Sequence, residues 1–472
     1  MVAGVFGLGL APPVGLWAYA DASAVTARRG AVPLAVASAP IPHVATPLLS
    51  ARRLPGVVAG ADPARELLAK LAAIPVADTS CLAVAVDGAP VFSVRPDLPV
   101  VPASNMMLLI GAAALDLLTP TFTFTTSAAS LTPPDGDGAI AGDLYLVGGG
   151  DPLLSTEPFR SRTIDAAHQG EPYTELEQLA DDLYRNGVRS ITGAVVGADA
   201  RYDNEYVQAT WPKGLDPTSR PGAISALRID GGVDAKGQPF ADPPTAAAAR
   251  FGDLLQARGV TIAGKAHAGL LPGGEQALGS VTSAPLGAIV ASMLRVSDNG
   301  TAEMLTKELA VGPSGGVGAT AAGLEIAKAR LVDWKIPDAG VSLVDGSGLG
   351  SENKLTCQVL LGIVDRYHVG DPLVAGLPVA GTSGTLTNLL KGSPVVGQLM
   401  AKTGSLGNVR ALTGLLPRDG HLVEFSYVLN EPGIGATETA AEPRWRALAD
   451  AMLAFPYRPD LGAYEPAAAV TG

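Results

Sequence analysis

The chain has 472 residues, with 33 Lys and Arg against 45 Asp and Glu for a formal net charge of −12, and 47% of it is hydrophobic; that supports two or three packed domains and excludes a disordered chain. The acidic balance excludes an ordinary nucleic-acid partner, whose phosphates are neutralised by clustered Lys and Arg. With 5 His and 2 Cys and no His-Glu-x-x-His or Cys-x-x-Cys, the ligands of a zinc hydrolase are missing, so chemistry without a metal or cofactor is expected.

No charged residue lies between Met1 and Asp21, and the apolar run from Val2 to Ala20 ends in small residues. Residues 1–24 therefore read as an export signal or a membrane anchor; the basic segment expected ahead of such a run is missing, which leaves both open. Residues 25–60 are rich in Ala, Pro and Val, with Arg28, Arg29, Arg52 and Arg53, and read as a linker. The expected location is outside the cytoplasm, in the cell envelope or beyond it, either free or tethered to the membrane.

Cys81 to Val86, then Asp87-Gly88 and Val91-Phe92, predict a β-hairpin with a tight turn. A second hairpin is expected near the far end, where Val409 to Leu416 and His421 to Leu429 flank Pro417-Arg418-Asp419-Gly420, with a helix from about Pro443 to Leu453. Strands at both ends with helices between them indicate one α+β domain whose sheet is completed by the C-terminal part, leaving the middle, roughly Pro120 to Ser280, as an insertion. Two helix–Gly–strand units mark that insertion as α/β. In the first, Thr174-x-x-Glu177 suggests a capping box, Leu176, Leu179 and Leu183 recur at helical spacing, and Val188 to Val196 reads as a strand. In the second, Phe251, Leu254 and Leu255 precede Gly259 and the strand Val260-Thr261-Ile262. Cys81 and Cys357 either form one disulfide in an oxidising compartment or remain two buried thiols.

Three short motifs carry chemistry. Pro102-Ala103-Ser104 precedes the nearly all-apolar Asn105 to Leu118, which predicts a buried helix with Ser104 at its N-terminus, where backbone N–H groups and the helix dipole favour an oxyanion. Alone, such a serine is an ordinary N-cap. Leu286, Ile289, Val290, Met293 and Leu294 predict an amphipathic helix ending at Ser297-Asp298-Asn299, a corner before a second helix carrying Met304, Leu305 and Leu309. Lys402-Thr403-Gly404-Ser405 precedes the strand Val409 to Leu416; Lys402 can meet a carboxylate, and Gly404 leaves room for a ligand's backbone. Glu303 and Lys307 read as an i, i+4 pair on a solvated face, and Ser347 and Ser383 as turn residues.

A serine at a helix start, a Ser-x-Asn corner and a Lys-Thr-Gly strand, in that order, resemble the site of penicillin-binding proteins and serine β-lactamases. The chain is more closely similar to the D-alanyl-D-alanine carboxypeptidases of the penicillin-binding protein 4 type, the class C low-molecular-mass penicillin-binding proteins, which carry a large insertion between the first and second motifs. Gly142 to Pro152, Asp345-Gly346-Ser347-Gly348-Leu349 with Asn353 and Leu355-Thr356, and Gly381 to Leu386 add to the resemblance, which spans about Ala61 to Phe455. It implies a β-lactamase/transpeptidase-like domain of antiparallel sheet and helices, split over residues 61–119 and 281–465 around an inserted α/β part at 120–280. It also implies a serine acyl-transfer site acting on peptidoglycan stem peptides and acylated by β-lactams. Ser104 would attack the carbonyl between two D-alanines, Ser297 would pass a proton to the leaving amine, and Asn299 would hold the substrate amide. Lys402 with Thr403 and Gly404 would bind the terminal carboxylate, and the backbone N–H groups of Ser104 and Ser405 would form the oxyanion hole.

One position departs from the pattern. The family has a lysine three residues after the nucleophile, on the same helix face, where a desolvated amine takes the serine's proton; here that residue is Met107. A thioether is no base, so acylation should be crippled, and Lys402 is a poor substitute if a bound carboxylate holds it charged. The sequence thus allows an active hydrolase, a non-catalytic wall-binding pseudoenzyme, or, because Lys and Met codons differ by one base, an engineered or sequencing change in an active enzyme.

Overall fold

The computed structural model describes residues 63–163, 169–215, 219–313, 315–435 and 437–457; the signal, anchor and linker readings for residues 1–60 lie outside them. Among the described residues no helix is long and apolar enough to cross a membrane.

A short helix, α1 (Arg65–Ala72), leads into β1 (Cys81–Val86) and β2 (Ala89–Val94). The two strands are joined through Asp87 and Gly88, both at positive φ, as a two-residue turn with a strand-compatible twist requires. Helix α2 (Met106–Leu118) follows and is buried over almost its whole length, as its uniform apolarity dictates.

The chain then departs into the inserted part. Strands β3 (Thr125–Ser130) and β4 (Leu144–Val147) precede helix α3 (Leu176–Arg185), β5 (Val195–Ala198), helix α4 (Pro243–Ala257), β6 (His267–Ala268) and β7 (Gln276–Thr282). They form a five-stranded sheet in the order β6-β5-β4-β3-β7, parallel on the β6–β4 side and antiparallel around β3. Its first and last strands pair with each other, Thr125 opposite Thr282, so the excursion leaves and returns at neighbouring points. The expected strand from Val188 to Val196 is broken into Ser190–Ile191, which pairs in a separate small parallel sheet, and β5. Gly193 lies between them where a Cβ would stand 2.2 Å from Asp143 Oδ1, so this point of the chain is a tight crossing between sheets. The capping box does not form: Thr174 sits buried on a short strand, no side chain caps α3, and Glu177 Oε1 instead accepts from the Glu157 N–H at 2.8 Å.

After the insertion come α5 (Leu286–Val296), α6 (Asn299–Val311), α7 (Thr320–Asp333) and α8 (Cys357–Asp365), then β8 (Met400–Leu406), β9 (Val409–Arg418), β10 (His421–Asn430) and α9 (Glu442–Met452). The hairpin between β9 and β10 turns on Asp419 and Gly420 alone, both at positive φ. The antiparallel order β8-β9-β10-β1-β2 joins the first strands to the last, Cys81 opposite Val428, which is the α+β arrangement expected from the sequence. Alternation along β1 separates two cores. Leu82 and Val84 pack with Leu67, Leu71, Trp445 and Leu448 of α1 and α9, whereas Cys81, Ala83 and Ala85 face the core built on α2, α5 and α8. Cys81 and Cys357 are joined, tying β1 to α8 across a sequence separation of 276.

Candidate active site

Ser104 lies in a strained entry to α2. A single 3-10 turn, Ala103–Asn105, precedes the helix, and Ala103 has φ 47°, a left-handed conformation rare for a residue with a Cβ. Gly348 holds this turn from one side, where a Cβ would lie 1.9 Å from the Ala103 carbonyl oxygen. That loop is itself pinned by the buried Asp345, whose carboxylate accepts from Gly348 N (2.8 Å), Gly350 N (2.6 Å) and Asn353 Nδ2 (2.7 Å). On the other side, Asn105 Nδ2 donates to the Lys402 carbonyl at 3.3 Å. A Cβ on Gly404 would be 2.8 Å from the Pro102 carbonyl oxygen and 2.9 Å from Asn105 Nδ2. Gly404 therefore admits the close approach of the Pro102–Asn105 turn. Ser104 itself is half-buried and Ser405 exposed.

Ser297 and Asn299 sit on the expected corner. Ser297 closes α5 in a left-handed conformation (φ 60°, ψ 47°), and Asp298 caps α6 through Gly300 N at 2.9 Å and Thr301 Oγ1 at 2.6 Å. This turn directs the Ser297 hydroxyl at two side chains. Lys402 Nζ donates to its Oγ at 2.7 Å, and the Oγ lies 3.9 Å from Met107 Sδ. Asn299 Nδ2 donates to the Ser219 carbonyl at 2.9 Å, while its Oδ1 is buried and unpaired, leaving an acceptor for an amide N–H.

Lys402 is fully buried, and burial is the largest influence on its amine, pushing the pKa down to about 8 against a smaller opposing pull from the Glu438 carboxylate. About a tenth of Lys402 is then neutral at pH 7. Thr403 Oγ1 donates to Thr385 Oγ1 at 2.7 Å, so the Gly381–Leu386 stretch abuts the third motif. Met107 is fully buried among apolar neighbours.

Glu303 and Lys307 are corrected outright: both are buried, and they do not form the expected surface pair. Lys307 Nζ pairs with Asp203 and donates to the Glu205 carbonyl at 2.8 Å. Glu303 Oε1 accepts from Ser347 N at 2.8 Å, and burial, aided by the nearby Asp345, pushes its carboxyl far above the usual carboxylate range. Glu308 takes Arg201 and the Tyr202 hydroxyl, the latter at 2.9 Å. Helix α6 is thus wrapped by residues from the inserted part, and no local pattern in its sequence announces that cover.

The fold is transpeptidase-like, as in the penicillin-binding protein 4 structures. Penicillin binding protein 4 of Haemophilus influenzae has a similar structure, with a TM-score of 0.67 at 19% identity over 83% of this chain and 99% of that one. The model of the D-Ala-D-Ala carboxypeptidase 3 (S13) family matches residues 64–236 and 218–454. The chain belongs to that family. It is 32% identical to a D-alanyl-D-alanine carboxypeptidase of Actinomadura sp. (strain R39) over 70% of this chain and 73% of the relative. It is also 31% identical to a carboxypeptidase of Mycobacterium tuberculosis over 80% of this chain and 87% of the relative.

Proposed function

We propose that this chain recognises the D-alanyl-D-alanine part of peptidoglycan stem peptides, and β-lactams, at Ser104, Ser297, Asn299 and Lys402, and that Ser104 is acylated there at a rate depressed by Met107. The observation that carries the reading is the 2.7 Å bond from a buried, readily neutralised Lys402 to Ser297 Oγ. In the acylation step Ser104 Oγ bonds to the substrate carbonyl carbon and its proton passes to the neutral fraction of Lys402 through Ser297. The carbon–nitrogen bond then breaks as Ser297 returns the proton to the leaving amine. Asn299 Oδ1 would accept the substrate's amide N–H. With the amine of the first motif replaced by a thioether, only this indirect relay remains, and a general base is commonly worth roughly 10²–10⁴ in rate.

Full burial of Met107 among apolar neighbours favours a second reading, recognition without turnover. Intact-mass and peptide-mapping spectrometry after incubation with benzylpenicillin separates the two. A slowly accumulating adduct on Ser104, absent from Ser104→Ala, supports acylation; reversible binding with no adduct supports recognition alone. Export is part of the proposal, supported by the apolar Val2 to Ala20 run and by a disulfide suited to an oxidising compartment.

A further inference from the structure

Asn299 is held from the inserted part. Its Nδ2 donates to the Ser219 carbonyl at 2.9 Å, and Ser219 belongs to the connection between β5 and α4. Further along the same connection lies Arg228, which is 6% exposed. Its guanidinium spans two loops: Nη2 donates to the Pro221 carbonyl at 3.0 Å and Nη1 to the Pro152 carbonyl at 2.9 Å. Pro152 ends the Gly142–Pro152 stretch, whose glycines let it lie against the backbone leading into Arg228. A Cβ on Gly148 would stand 2.5 Å from the Ala226 carbonyl oxygen, which accepts from Gly150 N at 3.1 Å. The guanidinium also lies directly against the Ser297–Asn299 corner. A Cβ on Gly300 would be 2.0 Å from Arg228 Nη2 and 2.7 Å from the Pro221 carbonyl oxygen, so the residue after Asn299 has no side chain where Arg228 passes. Burying a guanidinium is costly unless its N–H groups are partnered. Here the partners are backbone carbonyls of two loops, and the result is a fixed place for Pro221 and for Ser219 just before it.

A carboxamide carries an acceptor and a donor and can face either way round. With the Ser219 carbonyl fixed as an acceptor, Nδ2 of Asn299 must turn to it, and Oδ1 is left without a partner among the described residues. We propose that Arg228 is a positioning residue for Asn299: by fixing the Ser219–Pro221 segment it selects the carboxamide orientation that offers Oδ1 to a substrate amide N–H, which gives the inserted part a task in substrate recognition. The inference rests on the reading of Asn299 as the acceptor of that N–H. Because Arg228 acts through Asn299, it matters for ligands that carry the N–H and not for those that lack it, whereas an Arg228 that merely supported the fold would affect both alike.

The test is calorimetric titration of the full chain, as wild type, Arg228→Met, Arg228→Lys and Asn299→Ala. The ligands are an N-acylated tripeptide ending in D-Ala-D-Ala and its analogue with D-lactate in place of the penultimate D-alanine, in which an ester oxygen replaces the N–H. Wild type should bind the peptide about tenfold more tightly than the analogue, the effect of one hydrogen bond. In Arg228→Met and in Asn299→Ala that preference should fall below about threefold through weaker binding of the peptide, with the analogue changed by less than about twofold. Arg228→Lys keeps the buried charge but replaces a fork that reaches two carbonyls with a single ammonium, so it reports the same loss even if Arg228→Met disturbs folding. An undiminished preference in either folded Arg228 variant, or equal weakening of both ligands, overturns the assignment of Arg228 while leaving the role of Asn299 intact. Equal binding of the two ligands by wild type removes the acceptor role of Asn299, and Arg228 with it. If neither ligand binds wild type, the D-alanyl-D-alanine reading falls as well.

Discussion

Replacing Met107 by lysine should restore fast acylation. Met107 Sδ and Lys402 Nζ both contact the Ser297 hydroxyl, at 3.9 and 2.7 Å, so the two atoms are at most about 6.6 Å apart and an amine at position 107 would lie about that close to Lys402. At an effective dielectric of about 20, two ammonium ions about 6 Å apart repel by about 3 kcal/mol, equivalent to roughly 2 pKa units. Burial acts in the same direction: it already holds Lys402 at about 8, and position 107 is fully buried too. One of the two amines is therefore neutral at pH 7; where it is the one at position 107, it stands one helical turn from Ser104 and proton transfer need not run through Ser297. The gain expected for a positioned general base is roughly 10²–10⁴ in the second-order rate of benzylpenicillin acylation. Time-resolved intact-mass measurement of wild type and Met107→Lys reads it directly. Equal rates in two folded proteins would refute the argument that the missing amine limits the chemistry.

Lys402→Met removes the charge at nearly constant volume and tests the burial of the amine. Because the folded-state pKa of about 8 lies below the ordinary 10.5, the unfolded state binds more protons between those values, so wild-type stability should rise with pH across that window by roughly 3 kcal/mol. Urea unfolding at about pH 7.5 and pH 10 should show the rise in wild type and not in Lys402→Met; parallel behaviour would contradict it. Glu303 has the opposite sign. Its carboxyl is held protonated beyond the usual range by burial and by Asp345, so wild-type stability falls as pH climbs from the carboxylate range through neutrality, and Glu303→Gln should gain on wild type over the same interval. A stability difference that does not change with pH would remove Glu303 from the account. Replacing Cys81 and Cys357 together by alanine should lower the unfolding free energy by about 2–5 kcal/mol, because the bridge closes a very long loop; denaturant midpoints check it.

How much of this was legible in the sequence depended on how local each determinant is. The hairpin turn at Asp87-Gly88 was readable because two adjacent positive-φ residues specify it without help from elsewhere, whereas the second was read as the four residues Pro417 to Gly420, of which only Asp419 and Gly420 form the turn. The burial of α2 followed from an apolar run with no polar face. Ser104, Ser297, Asn299 and Lys402 were found as motifs, and the structure brings the last three together with Met107 around one hydroxyl or one corner. Interactions between distant segments were not readable. Glu303 and Lys307 have the spacing of a surface pair, and what buries them is Asp203 and Glu205 from the inserted part and the Ser347 loop from beyond α7. Thr174 and Glu177 matched a capping box, yet Glu177 is claimed by the distant Glu157 backbone.

The central claim is that this chain recognises D-alanyl-D-alanine through Lys402. Its most direct test is calorimetric titration of the full chain with an N-acylated tripeptide ending in D-Ala-D-Ala, set against the L-Ala-L-Ala isomer and repeated on Lys402→Met. Saturable binding of the D,D peptide, at least about tenfold weaker for the L,L isomer and weakened by a similar factor in Lys402→Met, is the expected result. Equal affinity for the two isomers, or full affinity retained in Lys402→Met, would contradict it.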